Sequence, residues 1–132
     1  MNRALFSNAT EHWSTPRAVY EALDREFMFT LDPCPLGGGM HEGLTRSWAN
    51  ERVFCNPPYG PGIIKWIRKS KEAALAVYLL PARTDTAWWH GWALLAEEVR
   101  FIKGRLKFGN SKNSAPFPSV VLVFRNSEGF QP

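Results

Sequence analysis

With 132 residues, 45% of them hydrophobic and 21% charged, the chain has the composition of a single-domain globular protein, which excludes a disordered or fibrous class. The net charge of +4 is a mild bias toward polyanionic partners. No apolar run approaches the roughly 20 residues of a membrane span, and the N-terminus lacks the apolar stretch of a secretory signal, so we expect a cytoplasmic protein.

The N-terminal part of the chain predicts an arm followed by a helix. Residues 1–12 show no periodicity, which is typical of an arm without fixed structure. Thr15 can cap a helix, Pro16 suits its first turn, and apolar side chains recur at helical spacing through about Glu26. The free N–H groups at such a helix start can receive a carboxylate.

Two short strands follow, and each ends at a polar residue. The first is predicted over residues 27–31 and leads directly into Asp32, and the second, over residues 52–55, leads into Asn56. Ligands of open α/β sheets bind outside the carboxyl ends of the strands, so Asp32 is a candidate site residue. Residues 36–43 are glycine-rich, so their backbone can approach a ligand closely, although a plain surface loop is an alternative.

The middle of the chain predicts a helix and then a buried strand. The helix, over residues 62–74, has an apolar stripe on one side and a basic face with Lys65, Arg68 and Lys69 on the other. This face serves either phosphate contact or solubility. The continuous apolar run over residues 75–80 is typical of a strand buried on both faces.

The C-terminal part predicts one more helix and three antiparallel strands. The pattern favours a helix over residues 86–97 capped by Asp85, a hairpin of residues 99–102 and 105–108, and a last strand over residues 119–124. The order of elements predicts an α/β sandwich with a mostly parallel sheet and antiparallel edge strands. The whole chain is then one domain.

The cysteines give no sign of a disulfide or metal site. Cys34 and Cys55 lack the spacing of a redox or zinc pair and are too few for a disulfide framework, so we interpret them as reduced thiols. A metal site that combines them with His41 or His90 is a minor alternative, and we predict no metal.

The stretch Asn56-Pro57-Pro58-Tyr59-Gly60 is the strongest sign of function. The prolines stiffen the backbone and keep Asn56 extended, so its amide and nearby backbone carbonyls can converge beyond the strand end, with Tyr59 beside them. These acceptors can hold an exocyclic NH2 and stabilise the positive charge that develops when its nitrogen attacks an electrophile. An ordinary proline turn after a strand is the alternative.

Several motifs occur in a fixed order along the chain. They are Trp13-Ser14-Thr15-Pro16, Phe29-Thr30-Leu31-Asp32-Pro33-Cys34, Asn56-Pro57-Pro58-Tyr59-Gly60, Leu80-Pro81-Ala82-Arg83-Thr84-Asp85, and Gly104-Arg105-Leu106-Lys107-Phe108 with Ala115-Pro116-Phe117-Pro118-Ser119. With them the chain resembles the phage-borne DNA N6-adenine methyltransferases of the Dam type, from about Trp13 to Phe124. Asn-Pro-Pro-Tyr also occurs in enzymes that methylate protein glutamine or RNA bases, so the other motifs are needed to choose between these families.

The resemblance implies a Rossmann-like fold, S-adenosylmethionine as methyl donor, and an adenine flipped out of DNA as acceptor. It also implies a phage- or prophage-encoded protein that acts in the cytoplasm of the bacterial host cell. The implied catalytic residues are Asn56, Pro57, Pro58 and Tyr59. The implied cofactor-binding residues are Trp13, which would cover the sulfonium by a cation–π contact, and Thr15, Pro16, Asp32 and Cys34. The candidates for DNA contact are Phe108 and Phe117 at the base, and Lys65, Arg68 and Lys69.

Two other functions stay open. One is a non-catalytic nucleic-acid-binding module, whose basic helix and some of the six tryptophans would hold single strands, although core packing explains each tryptophan taken singly. The other is a methyltransferase that acts on protein glutamine or on RNA. The chain is too compact for a separate recognition domain, so we expect low sequence selectivity or a homodimer.

Overall fold

The computed structural model describes residues 13–35, 40–109 and 111–126. The predicted arm and part of the glycine-rich stretch, residues 36–39, lie outside these ranges. The helices and strands are α1 (Arg17–Phe27), α2 (Met40–Thr45), β1 (Arg52–Cys55), α3 (Ile63–Arg68), β2 (Leu75–Pro81), α4 (Ala87–Gly91), β3 (Glu98–Phe101) and β4 (Ser119–Arg125). Short 3₁₀ helices follow α3 at Lys69–Glu72 and α4 at Ala93–Leu95. None of the described helices is long and apolar enough to cross a bilayer.

The strands form one open sheet in the order β1-β2-β4-β3. β1 and β2 run parallel with α3 between them in sequence, whereas β4 pairs antiparallel with both β2 and β3. The mixed α/β class is therefore confirmed. The predicted mostly parallel sheet is not confirmed, because only one of the three strand pairs is parallel.

The predicted hairpin near the C-terminus is wrong. Residues 105–108 form no strand, and β3 pairs instead with β4, where Val99 lies opposite Leu122. The Leu106 carbonyl accepts a hydrogen bond from the Ala115 N–H at 2.7 Å. Lys103-Gly104 favours a local turn, but β3 pairs instead with the distant and strongly apolar β4, because this pairing buries more hydrophobic surface.

The predicted strand over residues 27–31 is also mostly wrong. Helix α1 continues to Phe27, and Met28 then takes a left-handed conformation with φ 54°. Only Leu31 makes a parallel bridge, to Val53 of β1. This bridge still places Asp32 at the carboxyl edge of the sheet.

Helices cover both faces of the sheet. On one face, the Tyr20 ring of α1 packs edge-on against Phe54 of β1, with ring centroids 5.1 Å apart. On the other face, the Tyr78 hydroxyl of β2 donates a hydrogen bond to the Trp66 carbonyl of α3 at 2.5 Å. All seven residues of β2 are buried, as its continuous apolar run predicts for a central strand.

Candidate active site

The segment before α1 meets the end of β1 at Asn56, which is only 2% exposed. Asn56 Nδ2 donates hydrogen bonds to the Trp13 carbonyl and to Thr15 Oγ1, the latter at 2.9 Å. The predicted cap is wrong, since Pro16 holds the N-cap position of α1 and no side chain caps the helix there. The Thr15 hydroxyl instead binds the side chain of Asn56.

These bonds fix the orientation of the Asn56 amide. A backbone carbonyl only accepts hydrogen bonds, so the nitrogen of the amide must face Trp13. The amide oxygen, Oδ1, is buried and has no hydrogen-bond partner among the described residues. A buried acceptor without a partner costs about 1–3 kcal/mol, and a ligand N–H that reached it would remove this cost.

A cavity of about 520 Å³, which we call the polar cavity, lies beside Asn56. It is lined by Ser14, Thr15, Arg17, Tyr20, Glu21, Asp24, Asp32, Cys34, Pro35 and Asn56. Three of these side chains are carboxylates and one is a guanidinium, so the lining favours a cationic ligand. Asp32 Oδ1 also accepts a hydrogen bond from the Cys34 N–H at 3.3 Å, which shapes the turn after Leu31.

The thiols near this cavity are protonated. Burial, and to a smaller extent the charge of Asp32, raises the pKa of Cys34 to about 12. Burial likewise raises the pKa of Cys55 well above its usual range. Both cysteines are free thiols, as predicted. Within the described ranges, no group of three or more His, Cys, Asp or Glu side chains is placed to hold a metal ion.

A second cavity of about 390 Å³, the aromatic cavity, has a different character. It is lined by Trp13, Tyr59, Gly60, Ile63, Pro81, Arg83, Trp88, Pro116 and Phe117. Residues 13–15 border both cavities, because Trp13 lines the aromatic one while Ser14 and Thr15 line the polar one. Asn56 and Tyr59, predicted as one site, therefore line two cavities that meet at this segment.

An aromatic cluster surrounds the second cavity. The Trp13 ring lies 5.4 Å from Phe108 and 5.3 Å from Phe117, measured between ring centroids. Phe117 lines the cavity, whereas Phe108 is buried behind it and packs against Trp13. The Tyr59 ring meets both phenylalanines edge-on, and its hydroxyl donates to the Leu79 carbonyl at 3.0 Å. Burial raises the pKa of Tyr59 well above its usual range, so this hydroxyl stays neutral.

The comparison with known families decides between the functions left open by the sequence. The family model of the DNA N-6-adenine-methyltransferases (Dam) matches residues 4–129, nearly the whole chain. The chain belongs to the Dam family. The resemblance drawn from its motifs is thereby confirmed, and the chain is a DNA adenine methyltransferase by family. No curated protein and no solved structure matches the chain.

The remaining predicted residues of this Dam-family chain lie near the two cavities, on α3 or on the 3₁₀ helix after it. Pro57 is buried and Pro58 is half-buried in the turn that joins β1 to α3. The basic side chains of α3 lie in a separate concave surface, the basic groove, lined by Leu44, Lys65, Arg68, Lys69, Lys71, Glu72 and Trp92. The structure thus divides the predicted cofactor and base residues between the two cavities beside residues 13–15 and places the predicted phosphate contacts in a third location.

Arg83 and Trp88 are among the residues at the aromatic cavity that were not assigned from the sequence. Arg83 lies with its guanidinium 5.4 Å from the Phe117 ring centroid, and Trp88 of α4 lines the same cavity. The available signal was the motif at residues 80–85, because Arg83 follows the carboxyl end of a buried strand, where ligands bind. The motif gave no indication of which side chain would face the cavity.

Proposed function

We propose that this Dam-family enzyme transfers a methyl group from S-adenosylmethionine to the exocyclic N6 amine of adenine in DNA. The observation that carries the proposal is the buried, unpaired Oδ1 of Asn56, next to one cavity suited to a cation and close to a second suited to a flat ring. An origin in a phage or prophage, action in the host cytoplasm and a homodimer stay predictions.

The polar cavity fits the methyl donor. Its volume of about 520 Å³ lies within the range of small-molecule sites, and its carboxylates match a ligand that carries a sulfonium and an ammonium group. When bound, the donor supplies an already activated methyl group. Asp32, Thr15, Pro16 and Cys34 would hold it, with the start of α1 offering free N–H groups to a carboxylate.

The aromatic cavity fits the base. At about 390 Å³ it accommodates one flipped nucleobase, and the rings of Tyr59 and Phe117 offer faces and edges for stacking. The Trp13 ring would form one side of the base pocket, while the Trp13 carbonyl accepts the hydrogen bond from Asn56 Nδ2. A cation–π contact between Trp13 and the donor sulfonium stays a prediction of the resemblance.

Asn56 would be the main catalytic group. Its Oδ1, with the backbone carbonyls of Asn56 and Pro57, would accept hydrogen bonds from the amine and stabilise the positive charge that develops on its nitrogen during attack. Thr15 and Trp13 would keep the amide in the orientation this requires. Orientation and the exclusion of water then supply most of the rate, without a protein nucleophile. The thiols and the Tyr59 hydroxyl, all held neutral by burial, play no ionic part.

The fold supports the same assignment at a coarser level. The parallel β1–α3–β2 unit ends at the sheet edge where both cavities lie, which is where Rossmann-like proteins bind their ligands. We therefore also propose a Rossmann-like relation for this part of the sheet.

The test is transfer of a labelled methyl group from S-adenosylmethionine to DNA, RNA and protein substrates in parallel. We expect label in DNA alone, and we expect Asn56→Ala to slow transfer about 10²- to 10³-fold, with donor binding measured by calorimetry retained. Label in RNA or protein but not in DNA would contradict the proposal. DNA binding without any transfer by the unmodified protein would favour the non-catalytic module.

A further inference from the structure

The basic groove is separate from the aromatic cavity, but α4 and its C-cap residue Trp92 connect the two. Trp88 of α4 lines the aromatic cavity, and Trp92, one helical turn farther along with its N–H bonded to the Trp88 carbonyl at 2.9 Å, lines the basic groove. A helix rises about 1.5 Å per residue, so these four residues place the groove roughly 6 Å from the cavity along α4. A chain of nucleotides with one base in the cavity can therefore reach the groove without leaving the surface.

Trp92 organises the positive charge of the basic groove. The Arg68 guanidinium lies 5.5 Å and the Lys71 ammonium 5.7 Å from the centroid of the Trp92 ring. Both distances are within the range of cation–π attraction, so the ring keeps the two charges close together. The groove has a volume of about 450 Å³ around them.

The cations of the groove differ in their availability. Lys69 is engaged, because its Nζ contacts the two carboxylate oxygens of Glu72 at 3.0 and 2.9 Å. Lys65, Arg68 and Lys71 form no ion pair with any other residue in the part of the chain that the structure describes. All three are exposed, and their charges can therefore act on a ligand. The sequence predicted Lys69 as a phosphate contact, whereas the geometry favours Lys71.

We propose that the basic groove binds backbone phosphates of the DNA strand that carries the target adenine, on one side of that adenine. The inference rests on the proposed function, because the position of the base in the aromatic cavity sets the distance. A strand advances about 3.4 Å per nucleotide along a duplex, so a groove that begins about 6 Å from the cavity meets phosphates from roughly two nucleotides away onward. Free cations held in place in a concave surface match phosphates better than they match a neutral ligand.

The first experiment measures binding of a labelled duplex oligonucleotide by fluorescence anisotropy over a range of salt concentrations. In the double variant Arg68→Gln with Lys71→Gln, we expect about tenfold weaker binding near 0.1 M salt and a salt slope smaller by about 1–2, as loss of phosphate contacts predicts. The control is Arg25→Gln, at an exposed position of α1 on the opposite face of the sheet, which should change affinity less than about twofold.

A second experiment locates the contact by shortening the oligonucleotide from either side of the adenine. The unmodified protein should lose affinity when phosphates from roughly two nucleotides away onward are removed on one side, and the double variant should not respond to that removal. Unchanged affinity and salt slope in the double variant, or an equal response to shortening, would overturn the inference. If the variant loses DNA binding but no methyl transfer is ever seen, the groove inference stands and the proposed function fails.

Discussion

The Thr15 hydroxyl oxygen accepts a hydrogen bond from Asn56 Nδ2 at 2.9 Å, across 41 positions of sequence. Together with the Trp13 carbonyl it occupies both hydrogens of the Asn56 amide nitrogen. The oxygen of the amide is left as the only side-chain atom of Asn56 able to meet an incoming amine. Thr15 is therefore a positioning residue for Asn56 in the proposed mechanism.

Thr15→Val keeps the shape of the side chain and removes the acceptor. We expect it to lower the rate of methyl transfer about three- to tenfold, the equivalent of one net hydrogen bond. Single-turnover kinetics with saturating donor and DNA would measure the effect. Thr15→Ser, which keeps the hydroxyl, should transfer methyl groups at nearly the unmodified rate. Equal rates for the two variants would show that the hydrogen bond has no role in positioning.

Two substitutions at Tyr59 distinguish the effect of its hydrogen bond from the effect of its aromatic ring. Tyr59→Phe loses only the bond to the Leu79 carbonyl and should cost about 1 kcal/mol of folding free energy, with transfer within about threefold of normal. Tyr59→Leu also loses the aromatic face and should weaken binding of an oligonucleotide with an unpaired target base by about 1–3 kcal/mol. Denaturation and anisotropy measurements check the two effects. Equal loss of base binding in both variants would contradict the stacking role.

Gly43 lets α2 pack closely on the turn after Asp32. A Cβ at this position would lie 2.0 Å from the Pro33 carbonyl oxygen, a distance that forces the backbone to move. Gly43→Ala should lower the free energy of unfolding by about 1–3 kcal/mol, as overpacking does, and should weaken donor binding because Asp32 adjoins Pro33. Chemical denaturation and calorimetry measure both.

The matched control is Gly91→Ala. A Cβ there meets no atom within 4 Å, so this variant should be neutral or up to about 1 kcal/mol more stable through higher helix propensity. Normal stability and donor binding in Gly43→Ala would show that the turn after Asp32 adapts freely.

The elements predicted correctly are those whose signal is local. The apolar run of β2 and the prolines after Asn56 act on their own neighbourhood, so strand and turn could be placed from the sequence. The hairpin at residues 105–108 failed because strand pairing is decided by distant partners. In the same way, the spacing of residues 56 and 59 did not reveal that their side chains line two different cavities.

The site residues also had patterns that the sequence shows and partners that it does not show. Thr15 had the pattern of a helix cap, but a contact across the fold uses its hydroxyl for Asn56. Lys69 and Lys71 are equivalent as charges in the sequence, and the contact of Lys69 with the Glu72 carboxylate distinguishes them in the structure. Sequence reasoning could therefore locate the candidate site, whereas the partners of its side chains required the structure.

The ion pair between Glu26 and Arg100 ties α1 to the edge strand β3, with both contacts at 2.7 Å. The hydrogen bond from Arg100 lowers the pKa of the Glu26 carboxyl. A lowered pKa stabilises the fold above the unfolded-state value, about 4.3, and the stabilisation is lost as pH falls through the folded-state pKa.

Glu26→Gln should therefore destabilise the protein at pH 7 by at most about 1 kcal/mol, because the pair is partly exposed to solvent. The difference between the variant and the unmodified protein should shrink toward pH 2, because the carboxyl takes up a proton as the pH falls through the folded-state pKa. Urea denaturation at the two pH values measures it. A difference that persists unchanged at low pH would mean that the charge is not responsible.

The most direct test of the central claim is to incubate DNA with the protein and labelled S-adenosylmethionine, digest the DNA to nucleosides and identify the labelled product. We expect N6-methyl-2′-deoxyadenosine as the labelled nucleoside, formed by the unmodified protein and formed about 10²- to 10³-fold more slowly by Asn56→Ala. Label on another base or another position of adenine, or no label although donor and DNA both bind, would contradict it.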